Sequence, residues 1–243
     1  VKLNRVTVTG ADDSVQPEVL HRVQAQYPFV EWGILVSGAS KGRGRARFPS
    51  DDWLKQLIDL YDRVVYPPTI SVHVCGQWVR DLCAGNWEWL YQNNRIGALF
   101  FRASRVQLNF HSYAHKVVMP DFTDALRGVK WQVILQSDGV NDELIRQVKD
   151  THPDMVGVLH DRSGGAGILP RQWPKPLKGM YNGYAGGLSA ANVVEQLRAL
   201  EEVVGDETVW IDAETRLRNH TNTQLMIPLV EEYLEAAEPW VRP

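Results

Sequence analysis

Two clusters carry chemistry that the rest of the chain must position: His160-Asp161-Arg162-Ser163-Gly164-Gly165-Ala166-Gly167 and Ala185-Gly186-Gly187-Leu188-Ser189. Each directly follows a short apolar run that reads as a β-strand. A carboxylate at one strand end and a di-glycine opening a helix at the next can protonate a small molecule and hold its anionic group on backbone N–H groups. Asp161 is thus the candidate acid, with a loop-bracing aspartate beside Ser163 as the competing reading. Gly164, Gly165, Gly186, Gly187 and Ser189 are the candidate anion contacts, or else the small residues of tight turns. Glu214 is a candidate base, unless it is spent in an ion pair with Arg216. Asp12, next to Asp13, is another candidate base, unless it caps the helix that begins near Pro17. His73 and Cys75, two apart, share one face of a strand and supply a base if that face points inward; core packing is the alternative.

The same residues say which chemistry to leave aside. His111, His115 and His160 invite a metal, yet no His-x-x-x-His carries the accompanying Glu of a zinc hydrolase helix, and Cys75 and Cys83 are not paired at ligand spacing. No metal and no cofactor is expected. With 26 basic and 29 acidic side chains, the balance is too even for a broad nucleic-acid footprint, so nucleic acid is not an expected partner. The stretch Gly38–Pro49 holds Lys41, Arg43, Arg45 and Arg47 among glycines; it reads as a solvated loop, a lid over an anionic substrate, or an RNA contact. Two cysteines, one on a strand and one on a helix, argue for reduced thiols and a cytoplasmic address. The first residues, Val1-Lys2-Leu3-Asn4-Arg5, lack the apolar core of a signal peptide, and no stretch approaches the roughly 18 apolar residues of a membrane span.

Positioning these side chains requires strands whose C-terminal ends meet. Period-2 and β-branched runs predict eight strands, near Arg5–Thr9, Trp32–Ser37, Thr69–Cys75, Arg105–Phe110, Trp131–Gln136, Met155–His160, Gly179–Tyr184 and Thr208–Ala213. Helical patterns lie between them. The clearest is Ser189–Val204, with Val193, Leu197, Leu200 and Val204 in one stripe, Ser189 as N-cap and Gly205 as stop. Ser50 with Asp51 and Asp52 opens another, Pro17 sits just inside a third, and Thr221 with Gln224 spells a capping box for the last. Eight β/α alternations in 243 residues predict an α/β fold, a single (β/α)8 TIM barrel spanning residues 1–243 as one domain. An open doubly wound sheet is the alternative, but its glycine-rich fingerprint is missing from Thr9-Gly10-Ala11-Asp12.

The motifs resemble those of the phosphoribosylanthranilate isomerase family across nearly the whole chain. Leu159-His160-Asp161 with Ser163-Gly164-Gly165-Ala166-Gly167 is similar to that family's Asp-Ser...Gly-Gly-Thr-Gly loop, and Ala185-Gly186-Gly187-Leu188-Ser189-Ala190-Ala191-Asn192-Val193 to its Ala-Gly-Gly-Leu...Asn-Val. Val106-Gln107-Leu108-Asn109 is similar to a Val-Gln-Leu-His strand, and Arg47-Phe48-Pro49-Ser50 to an Arg and aromatic before helix 2. The resemblance implies an isomerase that opens an aminoaldose phosphate and rearranges it to an aminoketose, with Asp161 as acid and Arg47 holding a carboxylate. Gln107 and Asn109 on the matching strand, with Thr9 at the end of the first and Arg216 near Glu214, are the other candidate substrate contacts. Two positions differ: Thr9 stands where the family has a Cys base, and Glu214 lies in the segment where the family reads Asp-Val-Ser-Ser-Gly-Val-Glu beside a phosphate.

The expected function is therefore an isomerase acting by acid–base proton transfer on a small anionic or sugar-like molecule, without a membrane partner. Two other classes fit the differences. One is a ligand-binding barrel that has lost the reaction. The other is a sugar or nucleoside hydrolase or lyase using Asp161 and Glu214 as paired carboxylates.

Overall fold

A computed structural model describes residues 1–38, 46–92, 94–109, 117, 119–127, 129–139, 141–152, 154–163 and 166–242. Eight parallel strands close into a barrel in chain order: β1 (Lys2–Thr9), β2 (Val30–Ser37), β3 (Ile70–Cys75), β4 (Arg105–Leu108), β5 (Gln132–Ser137), β6 (Val156–His160), β7 (Tyr181–Ala185) and β8 (Thr208–Ala213). The expected strands are all present, displaced by a few residues at their ends. Phe110, the expected end of the fourth, lies outside the described residues.

The helices are α1 (Pro17–Gln26), α2 (Asp51–Arg63), α3 (Gln77–Cys83), α4 (Glu88–Gln92), α5 (Asn94–Arg102), α6 (Met119–Arg127), α7 (Asp142–Thr151), α8 (Val193–Val204) and α9 (Ile227–Ala237). Helix α2 shows why these stretches fold as they do. Ser50 accepts a hydrogen bond from Trp53 N, Asp51 and Asp52 sit at the positive end of the dipole, and Trp53, Leu54, Leu57 and Leu60 are buried. Two helix starts differ from expectation. α8 begins at Val193, because Asn192 Oδ1 takes Ser189 N at 2.8 Å and its amide donates to Gly187 O, holding 187–192 in a turn. No capping box forms at Thr221: its hydroxyl pairs with Asn219 and Thr223, and α9 opens later with a proline in its first turn. Between β3 and β4 the chain inserts three helices, where apolar patterning alone suggested no such excursion.

The barrel floor is sealed by charge. Glu31 is fully buried and bonded to Arg105, whose Nε lies 3.1 Å from Glu31 Oε2 and whose Nη2 donates to Thr7 Oγ1 at 3.2 Å. Burial opposes the Glu31 carboxylate, but the Arg105 and Arg5 charges outweigh it and hold its pKa down to about 2. The Arg105 guanidinium lies 4.5 Å from the Trp210 ring centroid. Above this plug, Gly33 makes room for Thr9 and His73: a Cβ there would stand 2.3 Å from Thr9 Oγ1 and 2.9 Å from His73 Cε1. Among the described residues, no helix is long and apolar enough to cross a membrane.

Candidate active site

A cavity of about 270 Å³ occupies the C-terminal mouth of the barrel, which is where barrels of this type carry their sites. Inward-pointing positions two residues apart on successive strands supply its walls: Thr9 from β1, His73 and Cys75 from β3, Gln107 and Asn109 from β4 and its end, and Gln136 from β5. Asp161 follows β6, Asp212 lies on β8, and Glu214 follows it. The structure therefore brings Asp161, Glu214, Arg47, Thr9, Gln107, Asn109, Arg216, Gly186 and Gly187 to one cavity. Gly164 and Gly165 lie outside the described residues.

Asp161 is presented to donors. Its Oδ1 accepts from Ser163 N at 2.9 Å and Ser163 Oγ at 2.7 Å, and its Oδ2 accepts from Gln136 Nε2 at 3.2 Å. Asp212 is its counterpart. Buried and bonded by Thr9 Oγ1 at 2.7 Å, it has its pKa driven well above the ordinary carboxylate value by burial, with the Glu214 and Asp161 charges adding to the effect against the Thr9 bond. Asp212 was not anticipated from sequence. Its spacing of two from Glu214, just past the end of β8, was the available signal, since alternate positions along an extended chain face the same side.

The histidine and thiol are neither of them bases. Gln107 Nε2 lies 3.3 Å from His73 Nδ1 and 2.9 Å from Asn109 Oδ1, which makes it the donor to both. The ring hydrogen of His73 is then on Nε2, which is buried without a partner among the described residues. Burial pushes the His73 pKa down to about 3, so the ring is neutral and offers an N–H. Burial likewise pushes the Cys75 thiol up to about 12, against a weak bond from Asn109 to Sγ, so no thiolate forms near neutral pH.

Asp12, expected as a candidate base, is not a wall of the cavity; it braces Arg47 instead. Its Oδ2 accepts from Arg218 Nη2 at 2.6 Å and from Arg47 N at 2.5 Å, while Ser14 bonds Oδ1. Burial alone would raise the Asp12 pKa, but these bonds, led by Ser14, lower it. Arg47 needs the brace because its φ of 76° is in the left-handed region that side chains disfavour. Held there, its Nη1 pairs with Glu214 Oε1 at 2.8 Å and its Nη2 reaches Thr215 Oγ1 at 3.3 Å. Glu214 thus pairs with Arg47 and not with Arg216, the partner that the alternative reading gave it, and Arg216 stands exposed at the rim. Burial raises the Glu214 pKa, with Arg47 and Arg218 opposing.

The di-glycine lines the cavity and also makes room for the chain's own backbone. A Cβ at Gly186 would meet Ile168 O at 2.8 Å, and one at Gly187 would meet Leu169 N at 2.7 Å. These residues, with φ of 122° and 66°, let the segment 167–169 cross directly over the end of β7. Ser189 is not a cavity wall, and its N–H is already spent on Asn192. Among the described residues, no group of three or more His, Cys, Asp or Glu is arranged to hold a metal ion.

Comparison with known proteins finds no matching family model and no matching curated sequence. Solved structures do match. Phosphoribosyl anthranilate isomerase from Thermus thermophilus gives a TM-score of 0.57 at 14% identity over 97% of this chain and 98% of its own. TrpF from Jonesia denitrificans gives 0.58 at 14% over 97% of each, and N-(5'-phosphoribosyl)anthranilate isomerase from Pyrococcus furiosus 0.55 at 16% over 97% and 98%. At such identities the likeness is one of fold, and it shows that the chain is built, nearly from end to end, on the barrel that these isomerases share.

Proposed function

We propose that the barrel mouth is the active site of an acid–base isomerase that interconverts aldose-type and ketose-type forms of a small sugar-like molecule. One observation carries this reading: two carboxyl groups line the same cavity in different surroundings, Asp161 accepting from Ser163 and Gln136, and Asp212 with its pKa raised by burial. A carboxyl group whose acidity burial weakens is suited to an acid role beside a second carboxyl group held as an acceptor. Asp212 gives its proton to the sugar ring oxygen as the bond from that oxygen to C1 opens. Asp161 removes the proton from the neighbouring carbon and returns it to C1, while the C2 hydroxyl gives its proton back to Asp212, which completes the ketose and restores both carboxyl groups. The resemblance in sequence gives the acid role to Asp161; the hydrogen bonds around it favour the accepting role instead.

Arg47 is occupied by Glu214, which, among the described residues that line the cavity, leaves Arg216 at the rim as a cation open to an anionic substituent. The test is conversion, followed by NMR, of a panel of pentoses, their 5-phosphates and N-aryl glycosylamines. The expected result is isomerisation of at least one, slowed about 10²- to 10⁴-fold by Asp161→Asn. A second reading, a barrel that binds without turnover, draws on the protonated Cys75 and on Thr9 being bonded to Asp212. Binding of a panel member with no conversion would establish that reading in place of the first.

A further inference from the structure

Beside the mouth, a second cavity of about 210 Å³ opens between the segment after β6 and the end of β7. Ser163 and Ala185 line both cavities and form their common wall. Apart from His160 and the exposed Arg162, the rest of the lining is apolar and stiff. Trp173 is buried, Pro170 and Pro174 have locked backbones, and Ile168 and Leu169 stand exposed at the lip. The space exceeds the roughly 150 Å³ that accommodates a benzene ring.

One polar group in this cavity has its chemistry fixed by its neighbours. The Asn182 amide donates to Leu177 O at 3.1 Å and Met180 O at 2.8 Å, and its Oδ1 accepts from Leu177 N at 2.9 Å, so the orientation of the amide is determined. His160 Nε2 lies 3.0 Å from that same Oδ1 and must carry the hydrogen. The ring, stacked on Tyr184 at 4.9 Å, therefore has its lone pair on Nδ1. Burial holds the ring neutral by lowering its pKa. Among the described residues nothing bonds Nδ1, although His160 is only 6% exposed and lines the cavity. A largely buried ring whose open nitrogen faces a slot walled by an aromatic side chain and prolines has the make-up of a small-molecule site.

We propose that this side cavity binds a flat apolar molecule, or a flat apolar substituent of a larger one, that donates one N–H or O–H to His160 Nδ1. The site lies outside the ring of strand ends and does not depend on turnover in the mouth. Its occupant touches Ser163, which holds Asp161 through two hydrogen bonds, so occupancy is felt at Asp161.

Calorimetric titration of the full chain with indole and with benzofuran tests the assignment, because the two share a shape and differ in the N–H. Indole should bind once per chain and about tenfold tighter than benzofuran, the worth of one hydrogen bond. His160→Phe should abolish the difference. Ile168→Arg, at the exposed lip, should weaken both and keeps the test open if the buried variant does not fold. Nitrogen-detected NMR should show His160 protonated at Nε2 and its Nδ1 resonance moving on addition of indole. Equal binding of the two probes, a preference that survives His160→Phe, an unprotonated Nε2, or no saturable binding of indole would each overturn the proposal. Sugar conversion measured on the same samples separates this outcome from that of the isomerase reading.

Discussion

Asp12 and Asp212 show how environment assigns opposite fates to the same side chain. Asp12 has its folded pKa below the unfolded value, so its contribution is present above the ordinary carboxylate pKa and is lost as pH falls through the folded one. Removing it strands a buried Arg218, and Asp12→Ala should cost about 3–5 kcal/mol in denaturant unfolding at neutral pH. Asp212 works the other way. Its folded pKa is raised, so stability falls as pH rises above the unfolded carboxylate value, and a neutral isostere removes that cost. Asp212→Asn should therefore be at least as stable as the parent at pH 7 and less sensitive to pH between about 4 and 7, as followed by thermal melts. Asp161 was legible in the sequence because a lone carboxylate after an apolar strand stands out. Asp212 was not, since it sits within a strand whose burial gives it its character. The partner of Glu214 was also hidden: Arg47 reaches it across 167 positions of sequence.

At the level of elements, the strands were readable because their alternation is strong, and the helix starts less so because local side-chain bonds compete with the helix. Ser189 has the composition of an N-cap, yet Asn192 captures its N–H and moves the helix start to Val193. The di-glycine after β7 was recognised as a place of close approach, but the approaching group is the chain's own segment 167–169. Gly187→Ala should accordingly lower the melting temperature and disturb both cavities, because its Cβ would meet backbone in a left-handed conformation. Inside the barrel, Gly183→Ala places a Cβ 2.0 Å from the Trp210 ring, and Gly33→Ala places one against Thr9 and His73. Each should cost about 1–3 kcal/mol or more by overpacking, and the Gly33 variant should in addition disturb the Thr9–Asp212 bond, visible as a changed pH dependence of stability.

Across the whole molecule, closure of β8 onto β1 is what turns separate strand tips into one site. The register that sets Thr7 beside Asp212 and Ala185 beside Asp212 brings the first, seventh and eighth strands around the buried carboxyl. The buried Glu31–Arg105 plug below and the mouth above divide the interior into a sealed half and a working half. That division follows from inward-facing polar residues on β1, β2, β3 and β4, a pattern written in the sequence but interpretable only once the strands are known to close. The central claim, that Asp161 and Asp212 move protons on a guest held between them, is tested most directly by solvent deuterium incorporation. Each panel sugar is incubated with the protein in D₂O, and label at the carbon beside the carbonyl is read by NMR. The account predicts incorporation by the parent chain into at least one sugar, reduced about 10²-fold or more by either Asp161→Asn or Asp212→Asn in folded protein. Incorporation at the parent rate in both variants, or none by the parent across the panel, would contradict it.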